Sequence, residues 1–381
     1  MGDTMAPSGT ARPVMYAMIG ACQMANYVVR QSLPSLIPLI AKSAGFGTSE
    51  VALLLASFFP GYLLTQVPAG VLAQKFGAKP LLTVNLAGTA ALMLLLPAAA
   101  RVQRGGAYVL ATLFTVLGLI QGSLVPCSSQ MQKDWLTDGP ERAFALRLMG
   151  LGGTVSQLIA TAATPVMAGA SRHGWQLAPI VYGGAIAVFT VLWQLIAQNK
   201  PTCAKSSSDA PDTPPGTLGA TAVLAAAKTE EKTQEKEGPA VELGIFGVAS
   251  AKAVIFAQIA SNNAGYTLDL WAPTYFQEVL GCSPIHAGRL IALTAMVRPP
   301  TEFVVAAIEG VMMKLHWRTV SIRKACNAIA CLGQGLALCC FGRAPSPRAA
   351  ALCYGVSNFF QSFHGSGYKY VIRRASQPAS E

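Results

Sequence analysis

Long apolar stretches separated by short polar turns recur along the chain. The run FFPGYLLTQVPAGVLAQKFGAK, Phe58 to Lys79, shows the pattern: it has no wet face until its last turn, which closes in Gln-Lys-Phe-Gly-Ala-Lys. A surface helix of a soluble domain carries a polar face along its whole length. A helix that crosses the hydrocarbon core of a bilayer needs about 20 mostly apolar residues. By that measure ten spans are predicted, near 14–40, 50–73, 80–100, 107–130, 145–170, 176–198, 246–276, 286–312, 320–342 and 348–370. The pattern describes an all-α polytopic membrane protein.

One segment breaks it. Asn199 to Gly244 contains KPTCAKSSSDAPDTPPG and KTEEKTQEKEG, rich in Pro, Ser, Lys and Glu and without aromatics. Such a composition cannot bury enough apolar surface to order itself. It is expected to be a disordered cytoplasmic linker, with at most a short helix near Ala220–Lys228. The predicted organisation is an N-terminal six-helix bundle over 1–198, a linker over 199–244 and a C-terminal bundle of about four spans over 245–381.

Composition agrees with the pattern. Of 381 residues, 52% are hydrophobic and 12% charged, about half the charged fraction of a soluble domain. The net charge of +11 is spread in small groups between apolar runs. That distribution fits the anionic cytoplasmic leaflet and not a nucleic acid, which needs a concentrated basic face. Most of the nine cysteines lie inside apolar runs, where the thiol behaves as a small apolar group. No paired CxxC, phosphate-cradling loop or GxSxG occurs, so no metal site, cofactor, ATP-driven pump or membrane hydrolase is expected. The start MGDTMAPSGTARP lacks a basic n-region and cleavage site, and the first apolar run is read as a retained span.

Loop charges set the orientation. With the N-terminus in the cytoplasm, the inside loops hold Lys75 and Lys79, then Lys133, Arg142 and Arg147, the lysine-bearing linker, and Lys314, Arg318, Arg323 and Lys324. The outside loops hold fewer. Both termini and the linker are therefore expected on the cytoplasmic side.

The turn GVLAQKFGAK resembles the loop signature of the major facilitator superfamily, Gly-x-x-x-Asp-Arg-x-Gly-x-Lys/Arg. Gly70, Lys75, Gly77 and Lys79 match, and Gln74 stands at the Asp position. SFFPGYLLTQVPAG (Ser57–Gly70), LGLIQGSLVPCSSQMQKDWLTDGPERA (Leu117–Ala143), NNAGYTLDLWAPTYFQEVLG (Asn262–Gly281) and VSIRKACNAIA (Val320–Ala330) resemble spans two, four, seven and nine of its anion:cation symporter branch, in order. That branch includes sialin and the vesicular glutamate and phosphate transporters. The resemblance implies the major facilitator fold, with the last two of twelve family spans missing. This chain departs from the branch at Phe114, where the family commonly has Arg, and at Gln121, where it often has an acid. The repeated signature near Glu309–Lys314 is degraded.

Charged side chains at membrane depth are costly and face partners or a wet path. Arg30, in NYVVRQSLPSLIPLI, matches a family Arg that contributes to anion recognition, and its planar fork suits carboxylate or phosphate. The other reading is an Arg that caps carbonyls near a span end. Tyr62 and Gln66 share one helix face and could contact substrate or a neighbouring helix. Gln121, within Gly118-x-x-x-Gly122, is a substrate candidate, while the glycines suit close packing. Tyr266 and Asp269 share a face of span seven; by the resemblance Tyr266 faces the central cavity. Asp269 is either a proton or cation carrier or the partner of Arg298 or Arg30. Arg298 and Glu302, four apart, could pair with each other. Asp269, Arg298 and Glu302 are thus candidates for coupling or charge relay.

The expected function is secondary active transport of a small organic or inorganic anion, coupled to H⁺ or Na⁺, by alternating access. The protein is expected to act as a monomer in a lipid bilayer and not as an enzyme. The alternatives are a degenerate or truncated paralogue that does not transport, or a transporter of another small organic solute.

Overall fold

The computed structural model describes residues 11–102, 105–135, 140–170, 174–199 and 249–368. Apart from Asn199 the linker lies outside the described residues, as do the first ten and last thirteen residues. Over the described residues, all ten predicted spans fall on helices. In chain order these are α1 (Ala11–Ala44), α2 (Thr48–Phe76), α3 (Ala78–Ala99), α4 (Gly106–Gln121), α5 (Leu124–Trp135), α6 (Pro140–Ala170) and α7 (Leu177–Ile196). Beyond the linker come α8 (Ala249–Thr274), α9 (Pro284–Ala295), α10 (Arg298–Lys314), α11 (Thr319–Phe341) and α12 (Pro347–Tyr368). No strand occurs among the described residues.

Two spans are broken helices. α4 and α5 form one span interrupted at Gly122–Ser123, and α9 and α10 form another interrupted at Met296–Val297. The second break precedes Pro299 and Pro300, which lack the N–H a continuous helix needs and clash with the preceding turn. Among the described residues six helical segments are long and apolar enough to cross a membrane: Thr48–Phe76, Ala78–Ala99, Gly106–Trp135, Gly174–Ile196, Pro284–Lys314 and Val320–Phe341. α1, α6, α8 and α12 are long enough but carry more polar residues, among them Arg30, Gln157, Asp269 and Asn358.

Local chemistry fixes the helix ends. At the start of α2, the Gly47 N–H donates to Glu50 Oε2 at 3.0 Å, satisfying a donor that the helix leaves open. α9 starts on Ser283, whose hydroxyl accepts from the His286 N–H, followed by Pro284 in the first turn, where a missing N–H costs nothing. Between α2 and α3, Gly77 turns the chain at φ +85°, and an added Cβ there would lie 2.2 Å from Asn199 Nδ2. Asn199 Oδ1 accepts from the Lys79 N–H at 2.8 Å, and Lys79 Nζ donates to the Gln194 carbonyl at 3.1 Å. The basic turn recognised in the sequence is thereby fastened to the end of α7.

Helices α1 to α7 share one buried apolar cluster, which includes Ile19, Leu36, Leu86, Phe114 and Trp193. α2 lies along α4, α3 along α7 and α1 along α6. The closest approach is α2 on α4. A Cβ on Gly61 would lie 2.0 Å from the Thr115 carbonyl oxygen, and one on Gly118 would lie 2.0 Å from that of Phe58. Glycine lets the two backbones touch, the usual basis of helix association where lipid removes the hydrophobic drive. Smaller apolar clusters hold α8 to α12 together, one around Leu268, Phe276, Phe341 and Tyr354 and one around Val305, Cys326 and Phe363. The two sets of helices meet where α1 contacts α8 and α6 contacts α9.

Gly118→Val should force α2 and α4 apart, because the obstructing atom is backbone. A loss of about 1–3 kcal/mol is expected, seen as a lower Tm and poor monodispersity of detergent-purified protein. Gly184→Ala, where an added Cβ meets nothing within 4 Å, should leave both unchanged.

Candidate functional site

A cavity of about 500 Å³ lies between the two sets of helices. α1 contributes Tyr27, Arg30, Gln31 and Pro34, the i, i+3, i+4, i+7 stripe of one helix face. α2 contributes Phe58, Phe59, Tyr62 and Gln66, and α8 contributes Gln258, Asn262, Tyr266 and Asp269, again at helical spacing. Arg298 enters from the break before α10 and Gln361 from α12.

Arg30 is held by π systems. Its guanidinium carbon lies 4.8 Å from the Tyr62 ring centroid, 5.4 Å from Phe58 and 5.5 Å from Tyr266, within the range of cation–π attraction. Nη2 donates to the Tyr266 hydroxyl at 3.0 Å. That hydroxyl is its one hydrogen-bond partner among the described residues, and no carboxylate there pairs with it. The rings are themselves packed: Phe58 stacks on Tyr62 at 5.6 Å, and Phe59 meets Tyr266 edge-on at 5.5 Å. Arg30 is thus a cation beside a cavity with no counter-ion of its own.

Arg298 is held differently. Nε donates to Asn358 Oδ1 at 3.0 Å, and Nη2 donates to Gln361 Oε1. Nη2 also lies 3.9 Å from Asp269 Oδ2, while Asp269 Oδ1 accepts from the Tyr354 hydroxyl at 2.5 Å. Asn358 Nδ2 donates to the Thr294 carbonyl at 3.0 Å, beside the helix break. Tyr354, Asn358 and Gln361 are an i, i+4, i+7 stripe on α12. They brace both the broken span and the charge pair.

The family model of the Major Facilitator Superfamily matches residues 19–377. The chain belongs to that superfamily. It is 27% identical over 337 residues to "Probable anion transporter 4, chloroplastic" of Oryza sativa subsp. japonica, covering 87% of this chain and 53% of the relative. It is 24% identical over 333 residues to "Ascorbate transporter, chloroplastic" of Arabidopsis thaliana, covering 87% of this chain and 58% of the relative. The chain therefore spans between half and two thirds of these relatives' length. Their names agree with the resemblance to the anion:cation symporter branch, a group of transporters and not of enzymes. A crystal structure of a bacterial homologue of the human lysosomal transporter Spinster matches with a TM-score of 0.70 at 13% identity, over 95% of this chain and 75% of that one. That likeness shows the superfamily fold.

Of the residues singled out from the sequence, Arg30, Tyr62, Gln66, Tyr266, Asp269 and Arg298 line the cavity together. Gln121 does not line it. It is buried at 2% exposure, and its Nε2 has no partner among the described residues. Gly122 next to it does what the glycine spacing predicts, since a Cβ there would lie 2.5 Å from the Tyr62 carbonyl oxygen. Glu302 is exposed and lies apart from the cavity. Arg298 does not pair with Glu302: its guanidinium bonds Asn358 and Gln361 and lies 3.9 Å from Asp269. Gly70, Lys75, Gly77 and Lys79 sit in the last turns of α2 and the start of α3 and do not line the cavity. Sequence reasoning passed over Tyr27, Gln258, Asn262, Asn358 and Gln361. Each belongs to a polar stripe at helical spacing in an otherwise apolar span, a signal present in the sequence but carried by uncharged residues.

Tyr354→Phe removes a hydrogen bond to a carboxylate and leaves Asp269 with one partner fewer. A stability loss of about 1.5–3 kcal/mol is expected, measured by thermal unfolding in detergent against wild type.

Proposed function

We propose that the protein is a secondary active transporter of a small organic or inorganic anion. It works by alternating access, with the helices before and after the linker rocking about the cavity. The observation that carries this reading is Arg30, a permanently charged group facing the cavity with aromatic rings and a phenol as neighbours and no carboxylate paired to it among the described residues. A cation left without a counter-ion in a low-dielectric setting attracts an anion strongly. The names of the relatives support the same substrate class. Tyr62, Gln66 and Tyr266 then shape the site, and coupling to H⁺ or Na⁺ supplies the drive. Asp269 and Arg298 are the charge pair beside that path. The basic turn with Lys75 and Lys79 supports an orientation with both termini and the linker cytoplasmic.

The test is uptake of labelled phosphate, ascorbate, glutamate and sialic acid into proteoliposomes, with and without H⁺ or Na⁺ gradients. Arg30→Gln should lower uptake of the accepted anion by about tenfold or more, the equivalent of a lost charge-assisted contact. Unchanged uptake in that variant would refute an anion site at Arg30.

A further inference from the structure

The cavity carries a definite charge. Among the described residues its lining holds three charged side chains, Arg30, Arg298 and Asp269. Two positive charges and one negative leave a net charge of +1. His364, whose Nε2 is 2.8 Å from Gln258 Oε1, stands behind Gln258 and does not line the cavity. Glu302 is exposed and does not line it either.

The three charges are not equivalent. Asp269 is within 3.9 Å of Arg298, whereas Arg30 has no acid beside it among the described residues. The two arginines are held by α8 side chains three residues apart: Tyr266 bonds Arg30, and Asp269 pairs with Arg298. Three residues on a helix rise about 4.5 Å, so both cations face one small volume. Arg298 keeps an open edge. Its Nη1 has no hydrogen-bond partner among the described residues, and 25% of its side chain is exposed. Without Asp269 it would present a second full positive charge to the cavity.

We infer that Asp269 is a specificity-determining residue, which neutralises Arg298, holds the cavity at a net charge of +1 and so selects a monoanion over a dianion. A monoanion on Arg30 brings the loaded site to neutrality. A dianion leaves one uncompensated negative charge where water is scarce, which is strongly unfavourable. Asp269 acts as a positioning residue, through Arg298, and does not touch the anion. The inference rests on the anion reading of Arg30 and narrows it to one charge class.

The experiment measures binding to purified protein, by thermal stabilisation across ligand concentration, for two pairs of anions at pH 8. Valerate is paired with glutarate, and dimethyl phosphate with methyl phosphate; the members of each pair differ by one charge. Wild type should bind the monoanion of a pair more tightly. Asp269→Asn raises the cavity to +2 and should shift the monoanion-to-dianion affinity ratio by about tenfold or more towards the dianion. Arg298→Gln leaves the cavity neutral and should weaken both members. The double variant Asp269→Asn with Arg298→Gln returns the charge to +1 and should restore the wild-type ratio. A fold defect lowers all affinities together and cannot reverse a ratio and then restore it. If Asp269→Asn cannot be purified, loss of monoanion binding in Arg298→Gln and its recovery in the double variant decide the matter, and absence of that recovery overturns the inference. A wild type that prefers the dianion, or an unchanged ratio in Asp269→Asn, overturns it while leaving Arg30 as an anion site. No stabilisation by any of the four anions overturns the anion reading and this inference together.

Discussion

An ionised side chain at the centre of a membrane helix costs about 2.5–3.5 kcal/mol on insertion scales, and three of them border one cavity here. The arrangement of the polar helices follows from meeting that cost. Arg298 meets it with conventional acceptors, two side-chain amides and a carboxylate. Arg30 meets it with the faces of three rings and one phenol. Amides and carboxylate use up hydrogen-bonding capacity, while ring faces leave most of the guanidinium's N–H groups unused. The two arginines are equal in charge and unequal in what they still offer a ligand.

The interruptions of the spans serve the same end. Where α9 stops before Val297 and α10 starts at Arg298, the break exposes backbone and swings a cation inward. Asn358 deals with both consequences, donating to the Thr294 carbonyl and accepting from Arg298. At the other break, after Gln121, glycine does the work. Gly118 and Gly122 bring α4 against α2 backbone to backbone, which sets Phe58 and Tyr62 on the side of α2 that faces Arg30. Irregular backbone is tolerated at membrane depth where it is buried in protein or lines a cavity; the break at Gly122 is buried, and the break before α10 is followed directly by Arg298, which lines the cavity.

The spans and the charged residues were legible in the sequence because lipid makes both conspicuous. Twenty apolar residues in a row and an Arg among them carry a strong physical signature. The partners of the charges were harder to read. The i, i+4 spacing of Arg298 and Glu302 favoured a local pair, yet Arg298 reaches Asp269, Asn358 and Gln361, which lie 29 to 63 residues away in the chain. Only tertiary packing decides between one nearby exposed acid and three distant, more sheltered acceptors. Gln121 shows the converse. A polar side chain next to a packing glycine in a span otherwise close to the cavity need not face it, because the helix rotation is set by Gly118 and Gly122 meeting α2.

The contacts of Arg30 also divide between the two sets of helices. Phe58 and Tyr62 belong to α2 and share the apolar cluster of α1, so they stay with Arg30 whenever those helices move as a body. Tyr266 belongs to α8, and its hydrogen bond and its contact with Phe59 cross the gap. Under the proposed rocking only the crossing contacts must break. A hydrogen bond to a charged group contributes about 1.5–3 kcal/mol net, still small enough to be made and broken in each cycle. The bonds among Asp269, Arg298, Tyr354 and Asn358 lie within α8 to α12 and would travel with them, while the Tyr354 contact with Gln157 of α6 is a further one that crosses the gap. One charge of the cavity therefore changes its neighbours while the other two keep theirs. That asymmetry is what a carrier needs if it is to hold its ligand in a constant electrostatic setting while the opening moves from one side to the other.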